Sequence, residues 1–189
     1  DNVFVTDNDP RISGEGPDLT DLVKWAAFTD VDLIRQGTGQ TERDWQGLAV
    51  FNDELYATVY GGDIYKMDGS GVFKATGQSA RNWIGLAVFN GELYAAVSNG
   101  DIYKMDGSGV FQATGQSTRK WYGLAVFNDE LYATVTGGDI YKMDGSGVFQ
   151  ATGQSARNWA GLAEFDGELY ATASGGDIHT FSTFTDPSI

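Results

Sequence analysis

Four times along the chain an arginine stands two residues before a tryptophan: Arg43–Trp45, Arg81–Trp83, Arg119–Trp121 and Arg157–Trp159. An indole face can stack on the C–H groups of a sugar ring, while a guanidinium donates forked hydrogen bonds to oxygen acceptors. On a loop between repeats such a pair would clamp a polar ligand. The residue after each Trp is Gln46, Ile84, Tyr122 or Ala160, and a later turn opens with Tyr60, Ser98, Thr136 or Ser174. A packed position does not accept Gln, Ile, Tyr and Ala equally, so these sites are expected at the surface. The candidate ligand-binding set is therefore Arg43, Trp45, Arg81, Trp83, Arg119, Trp121, Tyr122, Arg157 and Trp159. The alternative is structural. Large aromatics are mostly core material, so each Trp would wedge between neighbouring repeats. Each Arg would then pair with a recurring acid among Asp63, Asp101, Asp139 and Asp177.

Catalytic chemistry finds few residues to carry it. His179 is the only histidine and there is no cysteine, so no His-based triad, thiolate nucleophile or His/Cys metal cluster can be assembled within one chain. The carboxylate pairs Asp53–Glu54 and Asp129–Glu130 recur at a turn, where they read as solvated charge. Asp68-Gly-Ser-Gly71, with copies at 106–109 and 144–147, offers too few oxygens for a calcium loop and fits a hairpin turn. The expectation is a non-catalytic protein with no cofactor and no metal.

The formal net charge is −14, with eight acids against two bases in residues 1–32 alone. Such a surface repels nucleic-acid phosphates and anionic lipid, which disfavours both as partners. No apolar run reaches the ~18 residues needed to cross a bilayer as a helix. With neither nucleic acid nor membrane insertion supported, the expected partners are glycans or a protein surface. The chain opens at Asp1 without a signal-peptide pattern, so the expectation is a removed leader or a piece of something longer. A place outside the cell or on a particle surface is the working expectation, with a monomer favoured.

The elements that must position these residues follow from repetition. The four tryptophans are spaced 38 residues apart, and residues 77–114 match residues 115–152 at all but seven positions. Self-similarity at such a period marks a repeat architecture. Within the unit at Trp83, residues 85–89 form a short apolar strand and Asn90-Gly91 a hairpin turn tolerant of positive φ. Residues 92–97 alternate as a second strand. Asn99-Gly100 turns the chain into a third strand at 101–105, and 106–109 turns it into a fourth at 110–114. Four short antiparallel strands in ~40 tandem residues are the cue for a β-propeller blade. A β-solenoid would use shorter coils without three hairpins per period.

The fold class is thus all-β, a single propeller domain over 1–189 with clear repeats at 45–82, 83–120, 121–158 and 159–189. Residues 1–44 make a divergent blade or a closing segment. Five blades are favoured, because residues 18–23 and 25–30 can stand for the second and third strands of an eroded unit. Residues 33–39 would supply its outer strand, and 3–6 would pair with the last blade. The alternative is a four-bladed ring with residues 1–30 as a helical appendage and 31–37 as the closing outer strand.

The unit Trp-x-Gly-Leu-Ala-Val-Phe-Asn-Gly-Glu-Leu-Tyr-Ala, followed by Asp-Ile-Tyr-Lys, resembles the blade of the tachylectin/tectonin group of propeller lectins over residues 45–181. This resemblance implies a ring with GlcNAc- or GalNAc-type sites between blades and multivalent, lectin-like carbohydrate binding. The chain departs from that pattern in its outer strand, where Phe-Gln-Ala-Thr-Gly-Gln replaces a longer insert with its own aromatic. The unit also resembles blades of long bacterial and phage repeat proteins. A structural or protein-interaction module of a bacterial or phage surface protein is therefore the alternative function.

Overall fold

The computed structural model describes residues 37–182. All of their regular structure is β. The first blade holds β1 (Trp45–Phe51), β2 (Glu54–Gly62), β3 (Ile64–Met67) and β4 (Phe73–Ala75). The second holds β5 (Arg81–Phe89), β6 (Glu92–Gly100), β7 (Ile102–Met105) and β8 (Phe111–Ala113). The third holds β9 (Arg119–Phe127), β10 (Glu130–Gly138), β11 (Ile140–Met143) and β12 (Phe149–Ala151). The fourth begins with β13 (Arg157–Phe165), β14 (Glu168–Ala173) and β15 (Ile178–Phe181). The described residues thus carry four blades. The fifth-blade reading, the pairing of 3–6 and the closing strand at 31–37 fall on residues outside those described, except for 37–39, which form no strand.

Each blade is an antiparallel meander, and its first hairpin turns where the sequence expects. Asn90 and Gly91 take φ of 50° and 73°, so both central residues of the turn are left-handed. That twist matches the twist of the flanking strands. The blades do not stand apart. The first strand of each unit starts early enough to pair with the end of the preceding second strand, at Gly62↔Arg81, Gly100↔Arg119 and Gly138↔Arg157. All fifteen strands therefore join in one hydrogen-bonded series, with no pairing between the first and last blades among the described residues.

A bulge shapes every blade. In the second, Trp83 faces Val97 while Leu86 faces Ala95, so β5 carries one residue more than β6 over that stretch. The irregularity recurs between Trp45 and Leu48 and between Trp159 and Leu162. It brings a glycine, Gly47, Gly85 or Gly123, against the backbone of the following blade. A β-carbon on Gly85 would run into the Tyr122 carbonyl oxygen, and one on Gly123 would sit 2.5 Å from that of Ala160. Only a residue without a β-carbon permits blades to pack this closely.

The core lies between successive blades. Tyr56 and Ile64 of the first blade pack with Leu86, Leu93, Ala95 and Val97 of the second. The second and third blades repeat the arrangement with Tyr94, Ile102, Leu124, Leu131, Ala133 and Val135. A buried threonine stitches two of these interfaces. Thr58 Oγ1 accepts from Gly47 N at 2.7 Å and donates to Ile84 O at 2.6 Å. Thr134 does the same with Gly123 N and Ala160 O, at 2.7 and 2.5 Å.

Candidate binding surface

The Arg–Trp pairs lie in strands rather than on loops. Arg81 and Trp83 belong to β5, Arg119 and Trp121 to β9, Arg157 and Trp159 to β13, while Arg43 directly precedes β1. The expected stacking role of the tryptophans is corrected by their position. Trp83, Trp121 and Trp159 are buried and Trp45 is half-buried. The Trp83 ring meets the edge of Tyr103 at 5.0 Å between centroids and a tilted Phe111 at 5.8 Å. Its Nε1 donates to Ser79 O at 3.3 Å. Trp121 repeats this with Tyr141, Phe149 and Ser117 O. With both faces packed and the only donor used, an indole here has nothing left for a sugar.

The arginines lie nearer the surface, but not with the acids. In each of the first three blades the guanidinium carbon stands 4.7 Å from a tyrosine ring centroid: Arg43 over Tyr65, Arg81 over Tyr103 and Arg119 over Tyr141. Arg81 and Arg119 also lie 6.0 and 5.9 Å from Trp83 and Trp121. Such contacts contribute about 0.5–1 kcal/mol each at exposed sites. They also hold a long side chain in one pose. In the fourth blade His179 takes the tyrosine's place, 5.0 Å from Trp159, and its buried Nε2 has no hydrogen-bond partner. Arg157 is left with Trp159 alone at 5.9 Å among the aromatic contacts of the described residues.

The acids once expected to pair with these arginines hold backbone instead. Asp101 Oδ1 accepts from Ile102 N at 2.7 Å and Gln116 N at 2.8 Å, and its Oδ2 accepts from Gly115 N at 2.9 Å. Asp63 and Asp139 make the same set. Each carboxylate so fixes the exit from its blade's outer strand. The glutamine that follows reaches into the next blade: Gln78 accepts from Phe111 N at 3.0 Å and donates to Gly109 O at 3.2 Å. Gln40 and Gln116 repeat this bracket. The threonine stitch and the glutamine bracket were not singled out from the sequence, although the unvarying Gly-Gln-Ser/Thr step carried the signal for the second.

Other charges hold turns or form exposed pairs. Asp106 accepts from the Ser108 hydroxyl and the Ser108 and Val110 amides, and Gln112 donates to it as well. The Ser108 hydroxyl leads in holding this carboxyl down at about 2. Glu92 takes Lys104 at 3.0 Å and the hydroxyl of Tyr94 at 3.2 Å. Burial, followed by that carboxylate, pushes the Tyr94 hydroxyl up to about 12. An ion pair as exposed as Lys104–Glu92 contributes little. No group of His, Asp and Glu among the described residues is placed to hold a metal ion.

The variable positions also divide. Gln46 is exposed, Tyr122 and Ala160 are half-buried and Ile84 is buried, so the expectation of uniform exposure fails at the second blade. Each blade holds a guanidinium on an aromatic ring, exposed at Arg43, Arg81 and Arg157 and half-buried at Arg119, with Asn82, Lys120 or Asn158 beside it in the later strands. A planar five-donor group held in place can recognise carboxylate or carbonyl oxygens. It is offered at the same site of successive blades.

No protein-family model matches the chain, and no curated protein matches it either. Solved structures do. The computationally designed Ika4 protein aligns over 79% of this chain and 99% of its own, at 13% identity and a TM-score of 0.61. A catalytically inactive virginiamycin B lyase from Staphylococcus aureus aligns over 78% and 59%, at 16% identity and a TM-score of 0.55. BamB from Moraxella catarrhalis aligns over 72% and 42%, at 15% identity and a TM-score of 0.54. The chain thus spans less than two thirds of either natural protein. These likenesses carry no support for the tachylectin/tectonin group; what they show is the fold, a repeat β-propeller.

Proposed function

We propose that this chain is a non-catalytic interaction scaffold, a propeller that offers one small polar site several times to a protein surface. The observation that carries the reading is the recurrence of a guanidinium on a tyrosine ring at 4.7 Å in three successive blades, exposed at Arg43 and Arg81 and half-buried at Arg119. Two of the residue types that could serve chemistry are engaged elsewhere. The recurring aspartates accept backbone amides, and the described indoles are packed. Weak contacts of this kind gain from repetition, because each bound site raises the effective concentration of the next and avidity grows ~10²–10⁴-fold. A partner with regularly spaced carboxylates or backbone carbonyls fits the guanidinium donors. It must also accept a strongly acidic scaffold, with its net charge of −14.

Multivalent carbohydrate binding is the finer reading suggested by the resemblance to propeller lectins. It draws on the same arginines but loses the stacking platform that buried indoles cannot provide.

One experiment separates the two. Purified chain is screened on a glycan array with and without calcium, and in parallel by cross-linking and mass spectrometry in extracts of its source. Both arms include the Arg81→Ala/Arg119→Ala double variant. A protein partner captured by the parent chain, with apparent affinity at least ~10-fold weaker in the double variant, supports the scaffold. Selective glycan binding that the double variant loses would replace it with the lectin. Binding untouched by the substitutions would overturn the assignment to these sites.

A further inference from the structure

Among the described residues the two ends of the blade series are exposed, and the interior of the chain shows what each end fits. Along the first strand of a blade, side chains alternate between a forward face, turned to the next blade, and a rear face, turned to the previous one. On the forward face of the fourth blade Phe165 is 70% exposed and Ile178 64%. Their counterparts in the third blade, Phe127 and Ile140, are 4% and 2% exposed because the fourth blade covers them. On the rear face of the first blade Leu48 is 66% exposed, whereas Leu86 and Leu124 are 8% and 7%. Val50 beside it is 65% exposed. The same residue types are packed inside the molecule and open at its ends.

The polar fittings of the interface are open as well. Thr172 Oγ1 accepts from Gly161 N at 2.9 Å, as Thr58 and Thr134 do in their blades. Those two also donate to a carbonyl of the following blade, and the carbonyl at the matching place in the first blade is that of Gln46. Gly161, unlike Gly85 and Gly123, has no following backbone against it, only the Thr172 hydroxyl at 3.3 Å from where a β-carbon would lie.

We propose that these faces meet between two copies of the chain, the forward face of the fourth blade in one packing on the rear face of the first blade in the other. The contact is heterologous, and two copies joined at both ends close on themselves. It needs no new complementarity, since the chain already builds this interface three times. The bare faces carry no charged side chain among the residues named, which suits burial against a like-charged copy.

The test is the solution mass of the full chain, by light scattering across a dilution series, for the parent and for Phe165→Glu, Leu48→Glu and Gly161→Ala. Both glutamates replace side chains that are already exposed, so circular dichroism should show each variant folded. The expected result is a dimer for the parent, monomers for the two glutamate variants and a weakened dimer for Gly161→Ala. Mixing Phe165→Glu with Leu48→Glu should restore a dimer, because one intact forward face then meets one intact rear face. A parent that stays monomeric at every concentration overturns the proposal and leaves another part of the chain as the cover. A dimer that survives either glutamate substitution overturns it too, pointing to like faces in contact or to another surface.

Discussion

At the scale of single residues, position in the strand decides what a side chain is free to do. Trp83 and Arg81 are two residues apart on one strand, yet the indole is buried and the guanidinium exposed. The pattern Arg-x-Trp was legible in the sequence, but its division of labour was not. That depended on whether β5 begins at residue 81 or 85, a shift of four residues that moves the pair from a loop into a paired strand. Asp106 fills the hairpin-turn role that the Asp-Gly-Ser-Gly run suggests in the sequence. Its carboxylate ties the turn at 106–109 together, and its proton affinity is lowered first by the Ser108 hydroxyl. A group whose pKa is lower folded than unfolded stabilises fully above the unfolded value. That contribution disappears as pH falls through the folded value. The turn should therefore keep its contribution from neutral pH down to the ordinary carboxylate value of 3.8 and lose it progressively toward about 2. A carboxyl-carbon NMR titration should place the Asp106 midpoint well below 3.8, and Ser108→Ala should raise it toward that value. A parent midpoint already at 3.8 would mean the hydroxyl contact is not kept in solution.

At the scale of the element, hairpins were readable and close approaches were not. Asn90-Gly91 declares a two-residue turn by chemistry local to the turn. Gly85 gives no such local sign, because its reason lies 37 residues away at the Tyr122 carbonyl, across an interface formed only after both blades fold. The bulge that presents it there is likewise a property of paired strands. Position 161 has the same residue, the same bulge and no following blade against it, which makes a controlled comparison. Gly85→Ala should cost about 1–3 kcal/mol through overpacking against backbone that cannot move aside. Gly161→Ala should cost well under that in a dilute, monomeric sample. Urea unfolding of the two variants beside the parent measures the difference. Equal costs would show that the penalty is intrinsic to the bulge rather than to the neighbouring blade.

At the scale of the whole molecule, repetition has an energetic consequence that can be tested by removing a repeat. Stability in such arrays is approximately a sum of intrinsic blade terms and nearest-neighbour interface terms. Excising residues 83–120 joins Asn82 to Trp121 and brings the first blade against the third. The new interface has the residue types of the old one, with Leu124, Val126 and Ala133 where Leu86, Val88 and Ala95 stood. Thr58, which donates to Ile84 O in the parent, would find the Tyr122 carbonyl at the matching place. The shortened chain loses one blade and one interface and keeps every kind of contact. It should fold, unfold cooperatively in urea, and show an m-value lower by about a quarter, since that slope follows the surface exposed on unfolding. If stability instead resides in a coupling of the whole series, as a ring closed by its own ends would require, the excision removes the geometry needed to close. The shortened chain would then fail to fold at all. A cooperative transition at reduced slope and a featureless one are readily distinguished by circular dichroism, and only the first is compatible with blades that depend on their neighbours alone.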